Sequence, residues 1–171
     1  MATTTSDTKL QRIEMFASEA LHVHGLIQQG WSFRWDRAKR RFGCCDYTNK
    51  LITISKHLAL LNSYEQSQDT VLHEVAHAIA GRAAGHGPDW VATCHKVGAR
   101  PERCYSTIEV QTPKSKYIRY CPSCKRGRPL HRKSSKKYAC GNCCKKYNNG
   151  RYSEKFALLI IDREKYESLS K

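Results

Sequence analysis

Apolar residues recur at helical spacing from the start of the chain. Leu10, Ile13, Phe16 or Ala17, Ala20 and Leu21 fall on one side of a helix predicted over about residues 7–25, ended near Gly25. The pattern then changes to strict alternation in WSFRW. Trp31, Phe33 and Trp35 share one face and Ser32 and Arg34 the other, which predicts a half-buried strand. DRAKRR is a charged turn. FGCCDYT and LITIS predict two more strands, joined as a hairpin at Asn49-Lys50, and KHLALLNS a short apolar helix or turn. A long helix is expected from about Ser67 to Ala84, stopping near Gly85. A short one is expected from Pro88 to about Val97, with Pro88 at a first-turn position that suits its locked φ.

The stretch TPKSK reads as a linker. Beyond it lies a smaller, cysteine-bearing unit ending in FALLIIDREKYESLSK. The expected organisation is therefore two domains, residues 7–111 and 112–171. The expected fold class is α+β, with helices and a small three-stranded sheet followed by a small β unit.

Charge sharpens this division. Residues 1–111 carry 13 Lys+Arg against 11 Asp+Glu, whereas residues 112–171 carry 17 against four. Between Lys114 and Lys146 there are 12 basic residues and no acidic one. Such asymmetry points to a polyanionic partner for the second region. The 40% hydrophobic content supports a folded core, and no apolar run approaches the ~20 residues that span a bilayer. The polar start MATTTSD lacks the features of a secretory signal, so a nuclear or cytoplasmic, non-membrane setting is expected. The expected oligomeric state is a monomer.

Candidate chemistry lies in VLHEVAHAIAGRAAGHGPDW. On the predicted helix Leu72, Val75, Ala76 and Ile79 form the stripe that packs on a core. His73 and His77, four apart, stand one turn above the other beside that stripe, able to reach one ion at about 2.0–2.1 Å. Glu74 points to a neighbouring side, where it can hold and deprotonate a water activated by the ion. A catalytic zinc needs a third protein ligand. His86, flanked by Gly85 and Gly87, is the best candidate, with His95 the runner-up and Trp90 packing the turn. His22, His24 and His57 read as structural or surface residues. Metzincins place a glycine three positions and the third histidine six positions after the second; here His86 lies nine positions after His77 and the third position is Ala80. Tyr105 and His95 are candidates to stabilise an oxyanion.

Nine cysteines, an odd number, include Cys121-x-x-Cys124 and Cys140-x-x-Cys143, separated by 15 residues. That spacing is a zinc ribbon's, with two knuckles closing a structural site of four thiolates. Cys144 is the alternative to Cys143. Cys44, Cys45, Cys94 and Cys104 lack paired spacing and read as buried thiols. Between the pairs, Lys125, Arg126, Arg128, Arg132, Lys133, Lys136 and Lys137 are expected to neutralise nucleic-acid phosphates. Tyr117, Tyr120, Tyr138 and Tyr147 either stack on unpaired bases or, as preferred here, pack the ribbon.

HEVAH followed by GHGPDW, preceded by the WSFRW strand and the GCCDYTNKLITIS hairpin and trailed by a basic ribbon, resembles the SprT-like zinc metalloproteases, the family that includes the DNA–protein crosslink protease Spartan. The resemblance spans roughly residues 10–145. It implies a compact zincin-like domain in which His73, His77 and His86 hold a catalytic zinc, Glu74 is the base, and a second, structural zinc sits in the ribbon. It also implies proteolysis stimulated by single-stranded or locally opened DNA, with DNA-bound or DNA-crosslinked proteins as substrates. Two other functions fit the residues alone. One is a non-proteolytic nucleic-acid-binding zinc protein with a structural three-histidine site; the other is a zinc hydrolase of a small amide.

Overall fold

The computed structural model describes residues 5–102 and 110–169. The chain divides into two compact units, Met1–Pro113 and Lys114–Lys171, with the break inside TPKSK.

In the first unit, helix α1 (Thr5–Val23) lays Ile13, Ala17 and Leu21 into the core. Strands β1 (Ser32–Asp36), β2 (Gly43–Asp46) and β3 (Leu51–Ser55) form one sheet in the order β1-β3-β2. β1 runs parallel to β3 and β2 antiparallel to it. The predicted alternation holds: Trp31 is buried and Phe33 and Trp35 half-buried, while Ser32 and Arg34 are exposed. The β2–β3 turn is wider than a two-residue hairpin. It comprises residues 47–50, closed by the Asp46 carboxylate, which accepts from the Thr48 and Asn49 N–H groups. Lys50 supplies the positive φ of 48° that brings the chain back.

Helix α2 (Lys56–Leu61) starts on Ser55, whose hydroxyl accepts from the Leu58 N–H. Helix α3 (Tyr64–Ala80) begins three residues before the expected Ser67 and ends four before the expected Ala84. Its start is fixed by a capping box: the Ser63 hydroxyl takes the Gln66 N–H and the Gln66 side chain takes the Ser63 N–H. That polar first turn, YEQSQD, hides the helix from a hydrophobic-periodicity reading. Its end is set by Gly81 at φ +82°, after which Arg82–Ala84 tighten into a 3-10 turn. Helix α4 (Pro88–Val97) lies where the sequence places it.

The main core joins Ile13, Leu21 and Leu26 to Ile52 and Ile54 of β3 and Val71 and Val75 of α3. A smaller cluster of Ala76, Trp90, Cys94 and Ala99 sits between α3 and α4.

The second unit is a three-stranded antiparallel sheet of β4 (Tyr117–Tyr120), β5 (Gly127–Leu130) and β6 (Leu159–Asp162), ordered β5-β4-β6. It adds helices α5 (Gly141–Tyr147) and α6 (Arg163–Leu169) to the small β unit expected. Only the end of FALLIID is strand. Phe156 is in a 3-10 turn and is buried among the cysteines.

Candidate metal centre and catalytic cleft

The buried stripe of α3 runs through Ser67, Thr70, Val71, Glu74, Val75 and Ala76; Val75 and Ala76 are as expected, and the stripe extends round the helix to Val71 and Glu74 in place of Leu72 and Ile79. Ile79, placed in the core by the sequence reading, is 43% exposed, and Glu74, placed to the side, is 7% exposed. The reason is that α3 packs on α1, on α4 and on β2 and β3, so its inward face is set by several neighbours and reaches past the most apolar line.

This rotation puts His73 and His77 at the margin of the buried face. His86, brought back by the break at Gly81 and the turn through Gly85, completes a group whose ligand atoms all lie within 4.8 Å of one another. The Nε2 atoms of His77 and His86 are 3.1 Å apart. Two nitrogens bound to one tetrahedral zinc at about 2.05 Å would stand ~3.3 Å apart, so the group fits that ion. Burial, and repulsion among the rings, lower His73 and His77 to about 4, so both imidazoles are neutral, the ligating form, at physiological pH. His86 is exposed, leaving one side open.

Trp90 backs the group. It is 1% exposed and touches all three rings, lying nearly parallel to His77 at 5.2 Å and edge-on to His73 and His86 at 4.9 and 4.6 Å. Its indole N–H is buried with no hydrogen-bond acceptor among the described residues.

Glu74 occupies space that only glycine leaves. A Cβ at Gly43 of β2 would stand 2.5 Å from Glu74 Oε1 and 2.8 Å from both its Cγ and Thr70 Cγ2. The Cys45 backbone N–H donates to the carboxylate. Burial raises Glu74 to about 8, opposed by the Arg41 guanidinium and the Cys45 N–H. Glu74, His73, His77 and His86 open onto a cleft of about 560 Å³ whose walls include β2, Phe42, Tyr47, Leu58 and Val110. The Tyr47 hydroxyl donates to the His77 carbonyl at 3.1 Å, and burial pushes the phenol up to about 12.

In the second unit the Sγ atoms of Cys121 and Cys143 are 3.8 Å apart and those of Cys124 and Cys140 are 3.7 Å apart. Thiolates bound to a tetrahedral zinc at about 2.3 Å stand ~3.8 Å apart, so this group fits the ion as well. Only Cys121 and Cys124 lie on a tight turn, between β4 and β5. The second expected knuckle is a helix start, with Cys140 as the N-cap of α5 and Cys143 inside its first turn. Cys144 is buried beside the group and outside it.

A family model described as the SprT-like family matches residues 12–112. The chain belongs to the SprT-like family. The match covers α1 from residue 12 onward, the first sheet and α2–α4, with all three histidines and Glu74, so the first unit is a zinc-metalloprotease-like SprT domain. Comparisons with curated proteins and with solved structures returned no match.

The other expected positions divide by exposure. Lys125, Arg126, Arg128, Arg132, Lys133, Lys136 and Lys137 lie on the ribbon and all seven are exposed, Arg128 from within β5. Lys137 pairs with Glu154 at 3.7 Å, and Lys133 lies over the Tyr117 ring. His95, the alternative ligand, is exposed on α4 and does not line the SprT-like cleft. Tyr105 and Cys104 fall outside the described residues. Cys94 is buried, but Cys44 and Cys45 are only half-buried, because β2 is an edge strand whose outer side faces the cleft. The sequence reading misses Gly43, the Cys45 N–H and Tyr47. A signal for the first exists: a glycine at the head of a strand marks a close approach by another element.

Proposed function

We propose that this chain is a zinc-dependent endopeptidase that cleaves proteins held on DNA. The observation that carries the reading is the placement of Glu74. A buried carboxylate beside three convergent imidazoles serves no structural metal site, whereas a hydrolase needs one there.

His73, His77 and His86 would hold the zinc, which when bound supplies Lewis acidity towards water and the substrate carbonyl. Glu74, steadied by the Cys45 N–H, orients a water in the cleft. It accepts the water's proton as the oxygen adds to the peptide carbonyl carbon, and it delivers that proton to the departing amine nitrogen as the C–N bond breaks. β2, the edge strand along the cleft, offers backbone groups to which an extended substrate can add as a strand. Cys121, Cys124, Cys140 and Cys143 would hold a second zinc that folds the ribbon.

The exposed cations between the cysteine pairs support single-stranded or locally opened DNA as the partner. DNA then raises the local concentration of bound proteins around the protease. The test is to incubate the chain with a DNA-binding protein, with and without single-stranded DNA, beside Glu74→Gln. Cleavage that depends on DNA and is lost in the variant supports the reading. Equal cleavage by Glu74→Gln removes the mechanism, and the absence of any cleavage favours a DNA-binding protein with a structural three-histidine site. Charge removal at Arg132, Lys133, Lys136 and Lys137 should weaken DNA binding and flatten its salt dependence.

A further inference from the structure

DRAKRR, a charged turn by its sequence, is in the structure a fixed loop at the mouth of the cleft. Asp36 accepts from the Ala38 N–H at 2.8 Å and from Arg41 at 2.7 Å, and its carboxylate is held by Thr53 of β3. The Ser55 hydroxyl donates to the Ala38 carbonyl at 2.6 Å, and the Ser55 N–H to that of Phe42 at 2.7 Å. Arg40 and Arg41 thereby line the cleft just ahead of β2. Arg82, from the turn after α3, lines it beyond the other end of β2. Its guanidinium lies 5.4 Å from the Tyr47 ring centre and donates to Thr48.

Arg41 is matched by Asp36. Arg40 and Arg82 have no ion-pair partner among the described residues. Besides Glu74, the only carboxylate lining the cleft among them is that of Glu102. The cleft is lined by apolar Phe42, Leu58 and Val110 and has at each end an arginine outside any salt bridge, with Arg82 also within electrostatic range of Asp46. Arg41 and Tyr47, which flank the four-residue strand β2, are six residues apart, at most about 20 Å at ~3.4 Å per residue. Glu74, lodged beside Gly43 and Cys45, lies between them.

We propose that Arg40 and Arg82 make the cleft selective for extended peptides with acidic side chains about three residues to either side of the scissile bond and an apolar residue next to it. The proposal rests on the proteolytic reading above. A nucleic-acid strand is the poorer fit. A phosphate backbone is neutralised by cations spaced along it, and base stacking needs free aromatic faces. Here the cations sit at two ends, and Arg82 covers a face of Tyr47.

The test uses the full chain and two labelled ten-residue peptides with the same apolar centre, one with Glu and one with Gln at the flanking positions. Anisotropy reads binding, and mass spectrometry reads cleavage. The Glu peptide should bind and be cleaved roughly three- to tenfold better in low salt, as expected for two exposed ion pairs, the difference lying in KM. Arg40→Glu and Arg82→Glu should each erase or reverse the preference, and Lys96→Gln, exposed on α4 away from the cleft lining, should leave it. Equal binding of the two peptides overturns the proposal. So does a preference that survives both cleft variants, or single-stranded DNA binding that these variants weaken as much as the ribbon variants do. Charge-selective binding without cleavage of either peptide retains the subsite and counts against the protease reading instead.

Discussion

Gly43→Ala tests the placement of the proposed base most directly, because it changes neither Glu74 nor any histidine. The added methyl would stand 2.5 Å from Glu74 Oε1, so restoring an ordinary 3.4 Å contact requires the carboxylate to retreat by about 0.9 Å. It cannot retreat freely. Its Cγ and Thr70 Cγ2 are each 2.8 Å from the same point, and β2 is tied to β3 in register. A displacement of about 1 Å in a catalytic group costs on the order of 10²-fold in rate, or ~2.7 kcal/mol in barrier height. The overpacking itself should cost about 1–3 kcal/mol of stability. The assay pairs kcat on a protein substrate with zinc content and a denaturant midpoint. The expected outcome is kcat reduced about 100-fold with both zincs retained and the domain folded. Wild-type kcat in a folded, zinc-loaded Gly43→Ala chain would refute the argument that this glycine makes room for a working carboxylate.

The same geometry sets the response to pH, to loss of the tryptophan and to loss of a thiol. With metal chelated, Glu74, raised to about 8, binds more protons folded than unfolded, so its stabilisation is lost as pH rises from about 4.5 through 8. His73 and His77, lowered to about 4, act oppositely, their stabilisation being lost as pH falls from about 6.5 to 4. The metal-free domain should thus be most stable near pH 6.5, and Glu74→Gln should remove the decline above it in urea melts. Trp90→Ala should cost about 3–5 kcal/mol of stability and weaken metal binding at the three-histidine site, read by competition with a chromogenic chelator. Trp90→Phe, which keeps a ring against the imidazoles, should restore most of both. Cys143→Ser should remove one zinc per chain by elemental analysis, whereas Cys144→Ser should retain it, since the Cys144 sulfur lies outside the four-thiol group.

Much of this protein is legible in its residues read in order. Four-residue spacing on a helix fixes how His73 and His77 relate, two-residue spacing fixes each cysteine pair, and the excess of cations after residue 112 needs no fold to be seen. These are local properties, set by helical pitch, turn size and charge. The folded chain decided the rest. Which side of α3 faces inward depended on packing against α1, α4 and the first sheet, and it took Glu74 into the core and Ile79 out of it. The approach of His86 depended on where Gly81 broke the helix. The carboxylate's seat at Gly43 joins residues 31 positions apart in the chain, and the cleft draws arginines from two loops on either side of it. Contacts across such separations come from burial shared among several elements, which no periodicity along one of them encodes.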